Sequence, residues 1–119
     1  MNDITRIETD PRRSRAVVYN GMVFVGGMTA DDRSLDITGQ TKQTLEKIEN
    51  YLAKAGTDKS RLLTAQIWIK DLERDFEAMN AVWNAWTAEN AAPTRATAQC
   101  DMGAADVLVE VIVTAAVGD

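Results

Sequence analysis

Histidine is absent from the 119-residue sequence, and cysteine occurs once. Without histidine the chain can form neither a Ser-His-Asp triad nor a histidine metal site, and one cysteine alone does not make a structural zinc site. Nucleophile candidates such as Cys100 therefore have no histidine to activate them. A single cysteine also cannot form a disulfide within the chain, which favours a reducing, cytoplasmic location. We expect no metal ion.

Long apolar runs are also missing from the sequence. No run approaches the roughly 18 residues of a membrane-spanning helix, and residues 1–15 are polar, so neither a membrane span nor a signal peptide is predicted. The net charge is −5. This argues against a nucleic-acid-binding surface, which is normally basic, although it does not exclude a local basic patch. The length and the ordinary hydrophobic content predict one domain over residues 1–119.

The spacing of the apolar residues predicts the element order β-β-α-β-α-β-β. Two β-α-β units of this kind indicate an α+β fold, a mainly antiparallel sheet that two helices cover on one face. Residues 1–15 are either a solvated segment or an edge strand. The predicted elements are a hairpin over residues 16–25 that turns at Asn20-Gly21, a helix over 39–55, a strand over 62–70, a helix over 71–88, and two final strands over 93–100 and 107–114.

Glu110 is the one ionisable residue of the predicted strand 107–114. A carboxylate on an otherwise aliphatic strand is costly unless it is paired or reached by water. If the last two strands form an antiparallel hairpin that turns near residues 102 and 103, Arg95 faces Glu110. The sequence therefore predicts an Arg95/Glu110 pair. This pair is either an ion pair that holds the sheet together or the polar end of a small-molecule pocket.

The residue types at these positions fit the pocket interpretation. Arginine presents a planar fork that matches a carboxylate in two parallel hydrogen bonds. A half-buried glutamate can hold and polarise a water molecule. Thr97 lies on the same strand face as Arg95 and adds a hydroxyl group. Together these residues could bind a small carboxylic acid and deliver water to it.

Two features nearer the N-terminus have both a structural and a functional interpretation. Arg12, Arg13 and Arg15 form either a solvated segment or a group from which one arginine reaches an anionic ligand. Gly26-Gly27 follows the first hairpin, where glycines permit a turn, a bulge or the close approach of a ligand to the backbone. These two features alone do not decide between the alternatives.

The order of several motifs along the whole chain resembles the YjgF, or Rid (reactive intermediate deaminase), family. The most telling family motif is Pro-Ala-Arg-Ser followed by a terminal strand that carries a glutamate. This chain has Pro93-Thr94-Arg95-Ala96 and Val109-Glu110-Val111. Further matching segments are Gly26-Gly27 after the hairpin, Gly39-Gln40-Thr41 in the first helix, Ala55-Gly56, residues 65–72 and residues 76–83.

The resemblance implies a chorismate mutase-like fold and a homotrimer with a pocket at each subunit interface. It also implies hydrolysis of the enamines and imines left by pyridoxal-phosphate dehydratases, which yields 2-keto acids and ammonia without a metal or organic cofactor. Three departures indicate a divergent subgroup and leave the substrate open. Met28 ends a segment that is usually Ser-Gly-Gln, Arg13 stands roughly where the family has a tyrosine, and Thr97 replaces a common cysteine.

The leading hypothesis is therefore an enamine/imine deaminase of the 2-aminoacrylate or 2-iminopropanoate type. Arg95 would bind the substrate carboxylate, and Glu110 would orient the attacking water. The other expected binding residues are Gly26, Gly27, Thr97 and Arg13. The competing hypotheses are a non-catalytic, regulatory trimer that binds a keto acid and a purely structural interaction protein. The expected partners are a small carboxylate metabolite and further copies of the chain, with no nucleic acid and no membrane.

Overall fold

The computed structural model describes residues 3–118 of the chain. The elements are β1 (Thr5–Thr9), β2 (Ser14–Tyr19), β3 (Met22–Met28), α1 (Ile37–Lys54), a short 3₁₀ helix (Lys59–Arg61), β4 (Leu62–Ile69), α2 (Leu72–Trp86), β5 (Thr94–Gln99) and β6 (Val109–Ala116). The predicted order is confirmed, and the N-terminal segment forms the edge strand β1. Within residues 3–118, no helix has the length and apolarity to cross a membrane.

Local sequence signals account for the boundaries of several elements. Asn20 and Gly21 both have positive φ, at 52° and 79°, and they join β2 to β3 in the tight two-residue turn that Asn-Gly favours. Asp36 caps α1, because its carboxylate accepts a hydrogen bond from the Gly39 amide at 2.9 Å. The helix ends before Gly56, whose φ of +85° is unfavourable for residues with a Cβ atom. The chain therefore enters and leaves α1 at defined points.

The six strands found in residues 3–118 form one sheet in the order β1-β2-β3-β6-β4-β5. Only β4 and β5 run parallel to each other, and the remaining neighbours are antiparallel. Both helices cover the same face, where the core includes Leu45 and Ile48 from α1, Met79 from α2, and Ile67 and Val111 from the sheet. The predicted α+β fold, a mainly antiparallel sheet under two helices, is confirmed.

The last two strands do not form the predicted hairpin. β5 pairs in parallel with β4, and β6 lies between β3 and β4. A β-α-β crossover places its second strand in parallel with the first, and here α2 returns the chain to the free edge of β4. The polar strand β5 occupies the edge of the sheet, whereas the aliphatic strand β6 occupies a central position. Arg95 therefore pairs with Ala65, and Glu110 pairs with Trp68.

The sheet face opposite the helices, called the open face below, carries exposed apolar side chains. Phe24 on β3 is 45% exposed and Trp68 on β4 is 37% exposed. Val111 and Val113 of β6 are buried beneath the helices, while alternate residues of this strand are only half-buried on the open face. An aliphatic run such as residues 107–114 predicts a strand buried on both faces, but within a single chain β6 is fully buried on the helix-covered face only. Phe24 and Trp68 lie on the two strands that flank β6, so the open face presents apolar side chains on both sides of that strand.

Candidate active site

A cleft of about 750 Å³ opens beside Glu110. Five cationic side chains line it, and Glu110 is the one carboxylate among its lining residues. These five are more than a third of the 13 lysines and arginines of a chain whose net charge is −5, so positive charge is concentrated here. We call this the cationic cleft, and its five cations are Arg12, Arg13, Arg15, Arg33 and Lys47.

Glu110 lies across the backbone of Gly27. The pairing of β3 with β6 shifts register between Val25 and Met28, and Gly26 and Gly27 occupy this irregularity. A Cβ atom on Gly27 would overlap Glu110 Oε2 and lie 3.0 Å from Glu110 Cδ. Because residue 27 is a glycine, the Glu110 carboxylate can extend from β6 across the backbone of β3. Glu110 is half-buried and forms no ion pair within residues 3–118.

Arg95 and Thr97 lie on the other side of the sheet in the same chain. Arg95 Nη1 donates a hydrogen bond to Asn80 Oδ1 at 2.7 Å, and its guanidinium carbon lies 5.7 Å from the centre of the Trp83 ring. Both partners belong to α2, so Arg95 projects from the helix-covered face. Glu110 projects from the open face, as its strand partner Trp68 does. The predicted facing of Arg95 and Glu110 within one chain is therefore wrong.

Thr97 shares the helix-covered face with Arg95, as expected from strand alternation. The Thr97 hydroxyl oxygen is buried and has no hydrogen-bond partner among the described residues. It does not line the cationic cleft of its own chain. Of the residues that the sequence assigned to a site, the fold brings Arg13, Gly27 and Glu110 together in one cleft. Gly26 adjoins them through the chain.

A short turn positions the arginines at the start of β2. Asp10 Oδ1 accepts hydrogen bonds from the backbone amides of Arg12 at 2.8 Å and Arg13 at 3.0 Å. These two amides, with that of Arg12 contributing most, lower the pKa of Asp10. The Asp10 amide in turn donates to the Arg13 carbonyl at 2.8 Å. The backbone that carries Arg12 and Arg13 into the cleft is therefore held by its own hydrogen bonds.

The other two cations of the cleft are already paired. Arg33 Nη1 lies 3.4 Å from Asp106 Oδ1, and Lys47 Nζ lies 2.9 Å from Asp31 Oδ1. Lys47 also donates to the Thr29 carbonyl at 2.8 Å. No ion pair of Arg12, Arg13 or Arg15 occurs within the described part of the chain. The N-terminal arginines are thus the cations of the cleft that remain available to a bound anion.

Gln40 is a positioning residue that the sequence interpretation missed. It is only 1% exposed, and its Nε2 donates to the carbonyls of Leu35 at 3.0 Å, Asp106 at 3.0 Å and Arg33 at 3.3 Å. Its Oε1 accepts a hydrogen bond from the Leu108 amide at 3.0 Å. Gln40 therefore ties α1 to both loops that border the cleft. The available signal was a glutamine beside the apolar stripe of a helix, where a polar residue needs buried partners.

This arrangement suits the chemistry of small anions and water. The cations attract an anionic molecule, and the concave site concentrates their field. A carboxylate without an ion-pair partner can hold a water molecule and accept a proton from it. The cleft therefore combines a general-base candidate with a binding site for negative charge.

Comparisons with known proteins agree with the resemblance read from the sequence. The family model described as endoribonuclease L-PSP matches residues 4–117. A RutC family protein of Haemophilus ducreyi is 40% identical over 114 residues, which cover 96% of this chain and 97% of the relative. The RutC family protein YoaB of Escherichia coli is 36% identical over 114 residues, which cover 96% of this chain and 98% of the relative. A crystal structure of a YjgF family member from Neisseria meningitidis matches with a TM-score of 0.94 and 36% identity, covering 98% of this chain and 97% of that chain. The chain therefore belongs to the YjgF/RutC family.

Proposed function

We propose that this protein hydrolyses enamines and imines of the 2-aminoacrylate and 2-iminopropanoate type to 2-keto acids and ammonia. The observation that carries the proposal is the Glu110 carboxylate, which has no ion-pair partner among the described residues and lies over Gly27 in the cationic cleft. The resemblance of the chain to Rid proteins supports the same reaction. The substrate is a small carboxylic acid, which the arginines of the site recognise.

The reaction is a net hydrolysis that needs one water molecule. An enamine first becomes an imine by gaining a proton on its terminal carbon and losing one from nitrogen. Water then adds to the imine carbon while Glu110 accepts one of its protons. The carbon–nitrogen bond breaks as a carbon–oxygen double bond forms, and both hydrogens of the water leave on nitrogen as ammonia. Glu110 thus ends the cycle in its starting state.

In this proposal, Arg95 of the partner subunit binds the substrate carboxylate. Within one chain Arg95 and Glu110 project from opposite faces of the sheet, so they can serve one site only if two copies contribute to it. Arg95 lies on the edge strand β5, and the open face carries the exposed Phe24 and Trp68. A homotrimer with three identical interfaces, which the family resemblance implies, would give each cationic cleft one Arg95.

Glu110→Gln tests the catalytic role of the carboxylate. Glutamine keeps the shape and the hydrogen-bonding capacity but cannot accept a proton, so ammonia release from freshly generated 2-aminoacrylate should fall about 10²- to 10⁴-fold. The melting temperature, measured on the same preparation, should stay close to that of the wild type. Wild-type turnover by the Glu110→Gln protein would refute the mechanism.

Arg95→Ala tests the binding of the carboxylate. Loss of one charge-assisted hydrogen-bonding group should weaken the binding of pyruvate or 2-ketobutyrate by about 10- to 100-fold. Arg95→Lys should recover only part of the affinity, because a point charge cannot replace the planar fork. Isothermal titration calorimetry measures both variants against wild type. Equal affinities for wild type and a folded Arg95→Ala protein would remove Arg95 from the site.

A non-catalytic, regulatory trimer that binds a keto acid is the alternative function. The cationic cleft supports binding of a keto acid as strongly as binding of an imine substrate, because both ligands are small anions. The alternative predicts that pyruvate binds and that ammonia release from 2-aminoacrylate never exceeds the spontaneous rate. One assay with and without the protein therefore separates the two functions.

A further inference from the structure

We infer that the substrate carries a second carboxylate, and that Arg13 and Arg15 bind it. The inference rests on the proposed function, because it names the substrate class of the same site. The substrates would be imines of dicarboxylic amino acids, whose two negative charges bind at opposite ends of the cationic cleft. The hydrolysis itself is unchanged, with the water oxygen bonded to carbon and the nitrogen released as ammonia.

The first argument is the amount of positive charge in the cleft. A monocarboxylic substrate would have its one negative charge satisfied by Arg95 of the partner subunit. The cleft of each chain still holds Arg12, Arg13 and Arg15, which form no ion pairs within residues 3–118. Cations grouped in this way repel one another, and a second anionic group on the ligand offsets that repulsion.

The second argument is the geometry of three neighbouring strands. β2, β3 and β6 are adjacent in the sheet, with Arg15 on β2, Gly27 on β3 and Glu110 on β6. Arg15 precedes Ala16, which faces the helices, so alternation directs Arg15 to the open face together with Glu110. β3 contributes a glycine between them. The side chain of a substrate whose imine carbon lies beside Glu110 can therefore extend over β3 towards Arg15.

The third argument is that the acidic residues near these arginines make their direct contacts with other groups, although the charges of Arg13 and Arg15 also help to lower the pKa of Asp10, and that of Arg15 the pKa of Glu8. Asp10 accepts hydrogen bonds from backbone amides of its own turn, and Glu8 pairs with Lys54. Asp106 and Asp31 pair with the other two cations of the cleft. The Arg13 and Arg15 guanidinium groups thus meet a ligand without first having to break an ion pair.

The test compares two imines generated in situ from amino acids by an oxidase, 2-iminoglutarate from glutamate and 2-iminopropanoate from alanine. Formation of the keto acids above the spontaneous rate gives kcat/KM for each imine. Wild type should prefer 2-iminoglutarate by about 10- to 100-fold, the effect of one charge-assisted interaction. In a protein with both Arg13→Gln and Arg15→Gln, this preference should fall to about 1.

Lys42→Gln is a control for the loss of positive charge outside the cleft, although it removes one charge where the double variant removes two. Lys42 is exposed on α1, lies outside the cationic cleft and forms no ion pair among the described residues, so its change removes one positive charge without touching the site. This variant should keep the wild-type preference. A wild-type preference for 2-iminopropanoate, or a preference for 2-iminoglutarate that survives both arginine changes, would overturn the inference.

A binding measurement separates this inference from the proposed function. If wild type hydrolyses neither imine, the proposed function fails, and calorimetry with 2-oxoglutarate and 2-ketobutyrate decides the inference. Tighter binding of 2-oxoglutarate by about 10- to 100-fold, lost when Arg13 and Arg15 are replaced, would support a dicarboxylate site without catalysis. Equal binding of the two keto acids would refute the second carboxylate.

Discussion

Gly27→Ala should abolish most of the proposed deaminase activity while it leaves the fold intact. The added methyl group would overlap Glu110 Oε2 and approach Glu110 Cδ to 3.0 Å and Cγ to 3.4 Å. The obstructing atoms belong to the end of a flexible side chain, so Glu110 can rotate away. A χ angle displaced by about 30° from its rotamer costs about 0.5–1.5 kcal/mol, which the folded domain tolerates.

The displacement of the carboxylate has a larger effect on catalysis than on stability. A catalytic group that moves by about 1 Å can lose about 10²-fold in rate, so we expect a loss of this size in ammonia release from 2-aminoacrylate. Gly103→Ala is the matched control. Gly103 lines the same cleft, but a Cβ atom there meets nothing within 4 Å. This control should keep wild-type turnover and stability.

A double variant tests whether the effect passes through Glu110. Glu110→Asp shortens the side chain by one methylene and so removes part of the overlap with a methyl group at residue 27. Gly27→Ala should therefore reduce the rate of ammonia release less in the Glu110→Asp background than in wild type. A double-mutant cycle would show this as a positive coupling between the two residues. Wild-type turnover by Gly27→Ala, or simple additivity of the two changes, would refute the placement of Glu110 over Gly27.

Three further changes test other parts of the structure. Gln40→Leu leaves the buried Leu108 amide and several carbonyls without a hydrogen-bond partner. Urea denaturation should therefore show a loss of about 2 kcal/mol or more in the free energy of unfolding. Unchanged stability would contradict the role of Gln40. Hydrogen bonds from Lys54 and Tyr51 lower the pKa of Glu8 below its usual 4.5. Glu8→Gln should therefore have a lower melting temperature than wild type at neutral pH. This difference in melting temperature should shrink as the pH falls through the folded-state pKa of Glu8. A difference that grows in acid would contradict that pairing. Phe24→Asp on the open face should yield a folded 13.1 kDa monomer in light scattering, whereas a wild type that is itself monomeric would refute the subunit interface.

Local elements could be predicted from the sequence because their signals are local. The Asn20-Gly21 turn and the 3.6-residue period of Thr41, Leu45, Ile48 and Leu52 each depend on neighbours within a few residues, and each appears in the fold. The alternation of β5 and β6 likewise gave the correct face for each side chain within its strand. The alternation of side chains does not, however, determine the order of the strands in the sheet.

The wrong hairpin shows this limit. Proximity in sequence favoured pairing of β5 with β6, but the crossover through α2 placed β5 beside β4. A signal for this outcome was present, because the composition of β5, Thr94–Gln99, is too polar for a strand between two neighbours. The parallel crossover rule and this composition together would have assigned β5 to the edge.

The candidate site could be predicted in part. Arg13, Gly27 and Glu110 meet in one cleft, whereas Arg95 and Thr97 lie on the other side of the sheet of the same chain. The sequence does not indicate that Arg33 and Lys47 line the cleft, because they belong to a loop and a helix whose positions depend on tertiary packing. Their positions depend on contacts such as those of the buried Gln40, which no local pattern encodes.

Mixed oligomers test the central claim, a site built from Glu110 of one subunit and Arg95 of another. Arg95→Ala and Glu110→Gln proteins, each expected to have little activity alone at low substrate concentration, are unfolded, combined in equal amounts and refolded together. If each site takes the two residues from different subunits, about one quarter of the sites receive both intact, and ammonia release from 2-aminoacrylate should recover to about one quarter of the wild-type rate. Activity no greater than the sum of the two parent proteins would contradict the shared site.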